Sequence, residues 1–335
     1  MDDESRTPRR RRRWRSLWPL VLVVGVVVVL VAVGAAFAWS KLGRGARDDS
    51  PAAAQLSPTS SPAPSETPAS TAAPASTAAP MPESSPTPGA TRSLPPRPHI
   101  VADPQPVPIL VYHHILPKRK GPPLVVMSVA RFPAQLGYLA EHGYQAVTLR
   151  RVYDAWTGEG VLPPKPVVIT FDDGYADQVR NAAPVLREYD WPAELDLVSA
   201  ALYLGSSAPA TSLTPDMVQG LLDDGWGLES HSVSHADLAQ LHGAKLRWQL
   251  RESRRPLEQL FDVPVDFFCY PGGIYTRRVK LAVRRAGYLA ATGTRFGAAT
   301  PRDLFSLPRI YCYGGERMAD FEERLQRTLA AADGG

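Results

Sequence analysis

From Val107 onward the chain alternates short apolar runs with amphipathic stretches of helical period. The apolar runs are Val107–Tyr112, Val167–Phe171, Ala193–Val198, Gly227–Ser230, Val265–Cys269, Tyr288–Thr292 and Phe305–Tyr311. Between and after them, residues 129–141, 176–188, 214–224, 239–260, 277–285 and 319–331 place apolar positions three and four apart, as helices do. Strands alternating with helices predict a parallel sheet with helices packed outside it. The expected fold is α/β, a distorted or incomplete (β/α) barrel. In such barrels the reactive groups stand at the C-terminal ends of the strands.

The N-terminal third has a different pattern. Residues 1–16 carry the run Arg9 to Arg13 together with Arg15, and Pro19 to Ala38 contains no charge. Twenty helical residues span about 30 Å, the thickness of a bilayer's hydrocarbon core. Trp18 and Trp39 flank the run, where indole rings favour the interface. Residues 17–39 are therefore expected to be a transmembrane helix, with 1–16 a basic cytoplasmic tail and everything after it extracytoplasmic. A signal peptide cleaved after Ala36-Phe37-Ala38 is the competing reading, and it leads to a secreted protein. Residues 40–98 are dominated by Pro, Ala, Ser and Thr and predict a disordered linker. Residues 99–335 are expected to form the folded domain.

Charge narrows the partners. The first 98 residues hold 12 basic and 7 acidic side chains, which leaves 25 and 26 for the remainder. A folded part so close to neutral lacks the electrostatic footprint of a nucleic-acid binder. No protein partner is inferred. Two cysteines, Cys269 and Cys312, are too few for a disulfide framework, and they read either as one bridge or as two buried thiols.

The ends of the strands carry the candidate chemistry. The second run ends in Thr170-Phe171-Asp172-Asp173-Gly174-Tyr175. Adjacent carboxylates cannot point the same way, so one can hold a metal while the other faces a substrate; a solvated Asp-Gly turn is the plainer alternative. Another run ends in His231-Ser232-Val233-Ser234-His235, whose histidines at i, i+4 would share one helix face and one metal. Two His with one carboxylate make a common catalytic zinc set with an open position. Tyr270-Pro271-Gly272-Gly273 shapes a turn after the run Val265–Cys269. His113 and His114 end the first run, and alternation allows at most one of them to face the barrel centre.

In this order, Thr-Phe-Asp-Asp-Gly-Tyr, His-Ser-x-x-His and Tyr-Pro-Gly-Gly resemble the polysaccharide deacetylase family, also called the NodB-homology or carbohydrate esterase 4 family. The likeness spans roughly Pro106 to Tyr313. Tyr112-His113-His114-Ile115 and Arg131-Phe-x-x-Gln-Leu-x-Tyr-Leu resemble the poly-N-acetylglucosamine deacetylase branch. The resemblance implies that Asp173, His231 and His235 hold a divalent ion, Zn²⁺ or else Co²⁺ or Ni²⁺. It implies Asp172 as general base, the Tyr175 N–H as an oxyanion donor and His113 as the acid for the departing amine. Two departures stand out: Cys269 occupies the place of the family's third-motif Arg, and Leu307-Pro308-Arg309-Ile310 lacks the late His. Arg309 is the expected substitute beside Asp172. The implied activity is N-deacetylation of an N-acetylated polysaccharide, exopolysaccharide or peptidoglycan. The alternatives are an O-acetyl polysaccharide esterase and a catalytically weak carbohydrate-binding module.

Overall fold

The computed structural model describes residues 96–117, 121–203 and 211–333. The expected cytoplasmic tail, membrane helix and nearly all of the linker lie outside the described residues. Among the described residues, no helix is long and apolar enough to cross a membrane.

Among the described residues, ten strands appear in chain order: β1 Ile109–Tyr112, β2 His114–Leu116, β3 Val126–Ser128, β4 Gln145–Ala146, β5 Pro166–Asp173, β6 Glu194–Leu197, β7 Gly227–Ser230, β8 Phe267–Cys269, β9 Ala290–Thr292 and β10 Ile310–Tyr311. The main sheet runs β10-β1-β5-β6-β7-β8-β9, with β4 paired to the start of β5, and every pairing is parallel. A parallel bridge between Thr292 and Leu307 carries hydrogen bonding from β9 toward β10, so the sheet curls into a ring joined by little more than that bridge. This is a distorted (β/α) barrel. β2 and β3 form a separate two-stranded sheet beside the end of β1.

Alternation sorts the strand side chains into two populations. Leu110, Val167, Ile169, Phe171, Leu195, Leu197, Leu228, Phe268 and Ile310 point outward into the main core, where Phe132 and Leu136 of the helix Arg131–Glu141 and Leu221 of the helix Pro215–Asp223 meet them. Burial of one such side chain contributes about 1.5–3 kcal/mol, so this layer is the main source of stability. A second, smaller cluster plugs one end of the ring: Ile109, Val168, Phe267, Ala290 and Leu307 meet Leu149, Val152 and Trp156 of the helix Leu149–Thr157.

Local chemistry fixes the helix ends. Thr148, Thr214 and Thr276 accept from the N–H three residues on, and Pro215 follows Thr214 at the first helical position. Gly158 and Gly287 close two helices in the left-handed conformation. Two expectations need correction. The predicted helix over 239–260 is broken into a 3₁₀ turn Leu238–Gln240 and the helices Gly243–Arg251 and Arg255–Phe261, because Pro256 can only begin a helix there. Of the run Phe305–Tyr311 only its last two residues form a strand. Of the two readings left open for Cys269 and Cys312, the structure has the buried free thiols.

Candidate active site

β5 ends in Asp172 and Asp173, and alternation sends them apart. Asp173 leaves the strand with φ 74°, in the left-handed region, and Gly174 follows at φ 82°. The turn swings the Asp173 carboxylate toward the segment after β7. Its Oδ1 lies 3.6 Å from His231 Nε2 and 3.5 Å from His235 Nε2. The sequence placed this histidine pair on a helix, which the structure corrects. Residues 231–235 form a turn, with Ser232 at φ 65° and His235 at φ 53°, and the two imidazoles meet through that reversal.

Among the described residues, these three form one of two donor groups able to surround an ion; the other is Asp172, His231 and Cys269. The first set fits a metal and the second does not. Two ligands each about 2.1 Å from a tetrahedral ion are about 3.4 Å apart, close to the separations around Asp173. His231 Nδ1 hydrogen-bonds the Cys269 carbonyl at 2.9 Å, which leaves Nε2 as the free donor atom. Burial pushes His231 down to about 4 against the opposing pull of Asp172 and Asp173, so its imidazole is neutral and able to ligate. The second set already holds a cation of the protein's own, Arg309.

Arg309 immediately precedes β10 and is buried. Nη1 donates to Asp172 Oδ1 at 2.7 Å and Nη2 to Asp172 Oδ2 at 2.8 Å, a two-pronged grip on one carboxylate. Its other donors are also engaged: Nε by the Gly293 carbonyl, Nη1 by Thr170 and Asp196, Nη2 by the Cys269 sulfur at 3.2 Å. Burial alone pushes Asp172 up; Arg309, with smaller help from His113 and His231, overrides it and holds the carboxyl far below the usual range. Asp172 is thus a buried, ionised carboxylate.

His113 and His114 go separate ways. His113 Nε2 is 3.9 Å from Asp172 Oδ2, and its ring lies nearly parallel to that of Tyr311. His114 Nδ1 hydrogen-bonds Asp177 at 2.6 Å, and its ring stacks on Tyr175 at 3.5 Å. Gly174 and Ala176 pair with Leu213 and Thr211 through their backbones, which leaves the Tyr175 N–H outside that ladder.

Sequence reasoning missed the clamp that fixes His113. Gln178–Ala182 is a π-turn, and Gln178 Nε2 bonds both the Asp172 carbonyl at 2.8 Å and the His113 carbonyl at 3.1 Å. Asp177 accepts the Ile115 N–H, and Asn181 donates to the Ile115 carbonyl. Amide and carboxyl groups so close after a buried strand were the available signal. Asp196 was missed as well, although the polar positions of Glu194-Leu-Asp-Leu alternate with leucines.

Residues 159–291 match the family model for polysaccharide deacetylase. YxkH of Bacillus subtilis (strain 168), assigned as a polysaccharide deacetylase, is 28% identical over 208 residues, which is 62% of this chain and 71% of its own. The poly-β-1,6-N-acetyl-D-glucosamine N-deacetylase of Staphylococcus aureus (strain MRSA252) is 22% identical over 194 residues, 55% of this chain and 67% of its own. Among solved structures, the Streptococcus pyogenes deacetylase PplD in complex with acetate superposes with a TM-score of 0.61 at 25% identity, covering 68% of this chain and 99% of that one. On these matches, residues 159–291 form a domain of the polysaccharide deacetylase family, set in a barrel that ends in adjacent carboxylates and a histidine pair, and the chain is an enzyme of the deacetylase type.

Proposed function

We propose that the chain is a metal-dependent N-deacetylase that acts outside the cytoplasm on an N-acetylated amino-sugar polymer of the poly-N-acetylglucosamine class. One observation carries this reading: an ionised carboxylate, Asp172, is held by Arg309 beside the donor cup of Asp173, His231 and His235. A pure binding module has no use for a base next to a metal cup. Two imidazoles and a carboxylate suit Zn²⁺, with Co²⁺ and Ni²⁺ as substitutes. Residues 17–39 anchor the chain in the cell membrane, residues 40–98 tether residues 99–335, and the N-terminus stays in the cytoplasm; the uncharged run Pro19 to Ala38 behind an arginine cluster supports this.

Asp173, His231 and His235 would hold a divalent ion, which would supply Lewis acidity to the reaction. Asp172 removes a proton from the attacking water as its oxygen bonds to the carbonyl carbon. The Tyr175 N–H donates to the oxygen that gains charge. His113 then gives a proton to the sugar nitrogen while the C–N bond breaks, so acetate and a free amine leave. The 3.9 Å between His113 and Asp172 lets both groups face one acetamide, and the missing late His leaves this role to His113.

The test is acetate release by the purified full chain from β-1,6- and β-1,4-linked N-acetylglucosamine oligomers and from peptidoglycan. Chelation is expected to abolish release and Zn²⁺ or Co²⁺ to restore it. Asp172→Asn is expected to remove turnover while metal binding persists. His113→Ala should lower kcat about 10²–10⁴-fold, the range for a general acid, and His114→Ala much less. Survival of His113→Ala with loss in His114→Ala would reverse the two assignments. Sugar binding with no acetate release under any metal would replace the enzyme with a binding module.

A further inference from the structure

The ring interior beneath Asp172 holds more acids than this reaction uses. Asp172, Asp196 and Glu229 stand on β5, β6 and β7 in one register row: Asp172 pairs with Asp196, and Asp196 with Glu229. Glu194 sits one inward step below, facing Gly227, where a Cβ would lie 1.9 Å from its Oε2. All four acids are at most 3% exposed, and the cation that faces them is Arg309. Its Nη1 splits between Asp172 Oδ1 and Asp196 Oδ2, the latter at 3.1 Å.

Further along the row, Glu229 is the register neighbour of Asp196 on the adjacent strand and shares its inward face. Asp196 Oδ1 and both Glu229 oxygens have no donor among the described residues. Two bare carboxylates side by side inside a barrel repel strongly, and a proton held between them turns that repulsion into a hydrogen bond. Burial, reinforced by Asp172 and opposed by Arg309, pushes Asp196 well above the ordinary carboxylate range.

We propose that Asp196 is a positioning residue that works as a neutral acid: Oδ2 accepts from Arg309, Oδ1–H donates toward Glu229, and the guanidinium plane stays aligned on both oxygens of Asp172. The inference rests on the reading of Asp172 as base. It requires an acceptor and a donor at position 196, and no negative charge. Asparagine offers both, its carbonyl toward Arg309 and its amide N–H toward Glu229. Leucine has a similar shape and offers neither.

Asp196→Asn and Asp196→Leu are compared in the full chain by kcat and KM for acetate release, in the wild-type and the Arg309→Met backgrounds. Asp196→Asn is expected to keep kcat within about threefold. Asp196→Leu should lower kcat by about 10–100-fold, as loss of an orienting partner does, with KM little changed. With Arg309→Met already present, Asp196→Leu should cost nothing more, because its effect runs through that guanidinium. Asparagine as damaging as leucine would overturn the neutral acid. An equal loss from leucine with and without Arg309 would reduce Asp196 to a packing role, and wild-type kcat in Asp196→Leu would remove it altogether. If Asp196→Leu does not fold, Asp196→Ala takes its place with the same expectations. Full turnover in Arg309→Met alone would instead strike the reading of Asp172 and Arg309, a distinct result.

Discussion

The outward and inward faces of the barrel sheet are built from alternate residues of the same strands, yet they hold opposite chemistry. Outward, Ile169, Phe171, Leu195, Leu197 and Leu228 pack against helices in an unbroken apolar layer. Inward, Thr170, Asp172, Glu194, Asp196 and Glu229 are as thoroughly buried, with one guanidinium among the acids. Burial on the first face gains about 25 cal/mol per Å² of apolar surface. Burial of charge on the second costs several kcal/mol per ion, and even a well-paired bridge often does no better than apolar residues of the same shape. The polar column is therefore explained by what it does for Asp172, and the outer layer carries its cost.

Three substitutions probe that division. The largest stability effect belongs to the outer face. Phe132, fully buried edge-on to Tyr112 and packed on Phe171, should cost about 3–5 kcal/mol in urea unfolding as Phe132→Ala, with kcat per folded molecule unchanged. A large fall in kcat per folded molecule would mean that the two faces are not separable.

An intermediate effect is expected inside, and with the opposite sign. Burial raises Glu194 to about 7 from an ordinary 4.5, against lowering by the Leu149 N–H and Glu229. A carboxyl whose pKa rises on folding binds its proton more tightly in the folded chain, so stability is full at low pH, falls as pH climbs from about 4.5 to about 7, and then levels. Glu194→Gln keeps an acceptor for Leu149 and adds a donor for Glu229. Near pH 8 it should gain about 2–3 kcal/mol, and its melting temperature should vary less with pH than the wild type's. Identical pH profiles for the two proteins would show that Glu194 does not hold its proton.

The smallest effect lies on neither face. Asp262 ends the helix Arg255–Phe261 at φ 53°. Asp262→Gly relieves about 1–2 kcal/mol of left-handed strain and gives back about 0.4–1 kcal/mol of backbone entropy, a net gain of roughly 0.5 kcal/mol visible as a small rise in melting temperature with activity unchanged.

Much of the fold is legible in the sequence because period-2 and period-3.6 patterns report which face is buried. The parallel sheet and the strand ends carrying Asp172, Asp173 and the His231–His235 pair follow from that. Patterns do not report left-handed turns at non-glycine residues, so the segment 231–235 reads as helix when it is a reversal through Ser232 and His235. Nor do they report pairing across long separations. Arg309 and Asp172 are 137 positions apart, and only the sheet order β10-β1-β5 brings their strand ends close. The inward acids are visible as alternation in Glu194-Leu-Asp-Leu and Gly-Leu-Glu229-Ser, but acids in a buried strand read as solvent-facing until the ring is known to close.

The Gln178 amide has a mechanical consequence. It ties the backbone at His113 to the backbone at Asp172 and makes the two strand ends one splinted unit. The proposed acid and base, His113 and Asp172, then cannot drift apart to suit a bulkier substrate. Such a splint separates the reaction from the choice of sugar: loops beyond the strand ends, such as the one through the exposed Ile274 and the one through Tyr313, can be exchanged for others while the pair beneath keeps its spacing. The clamp thus makes the catalytic floor a fixed part and the rim a replaceable one.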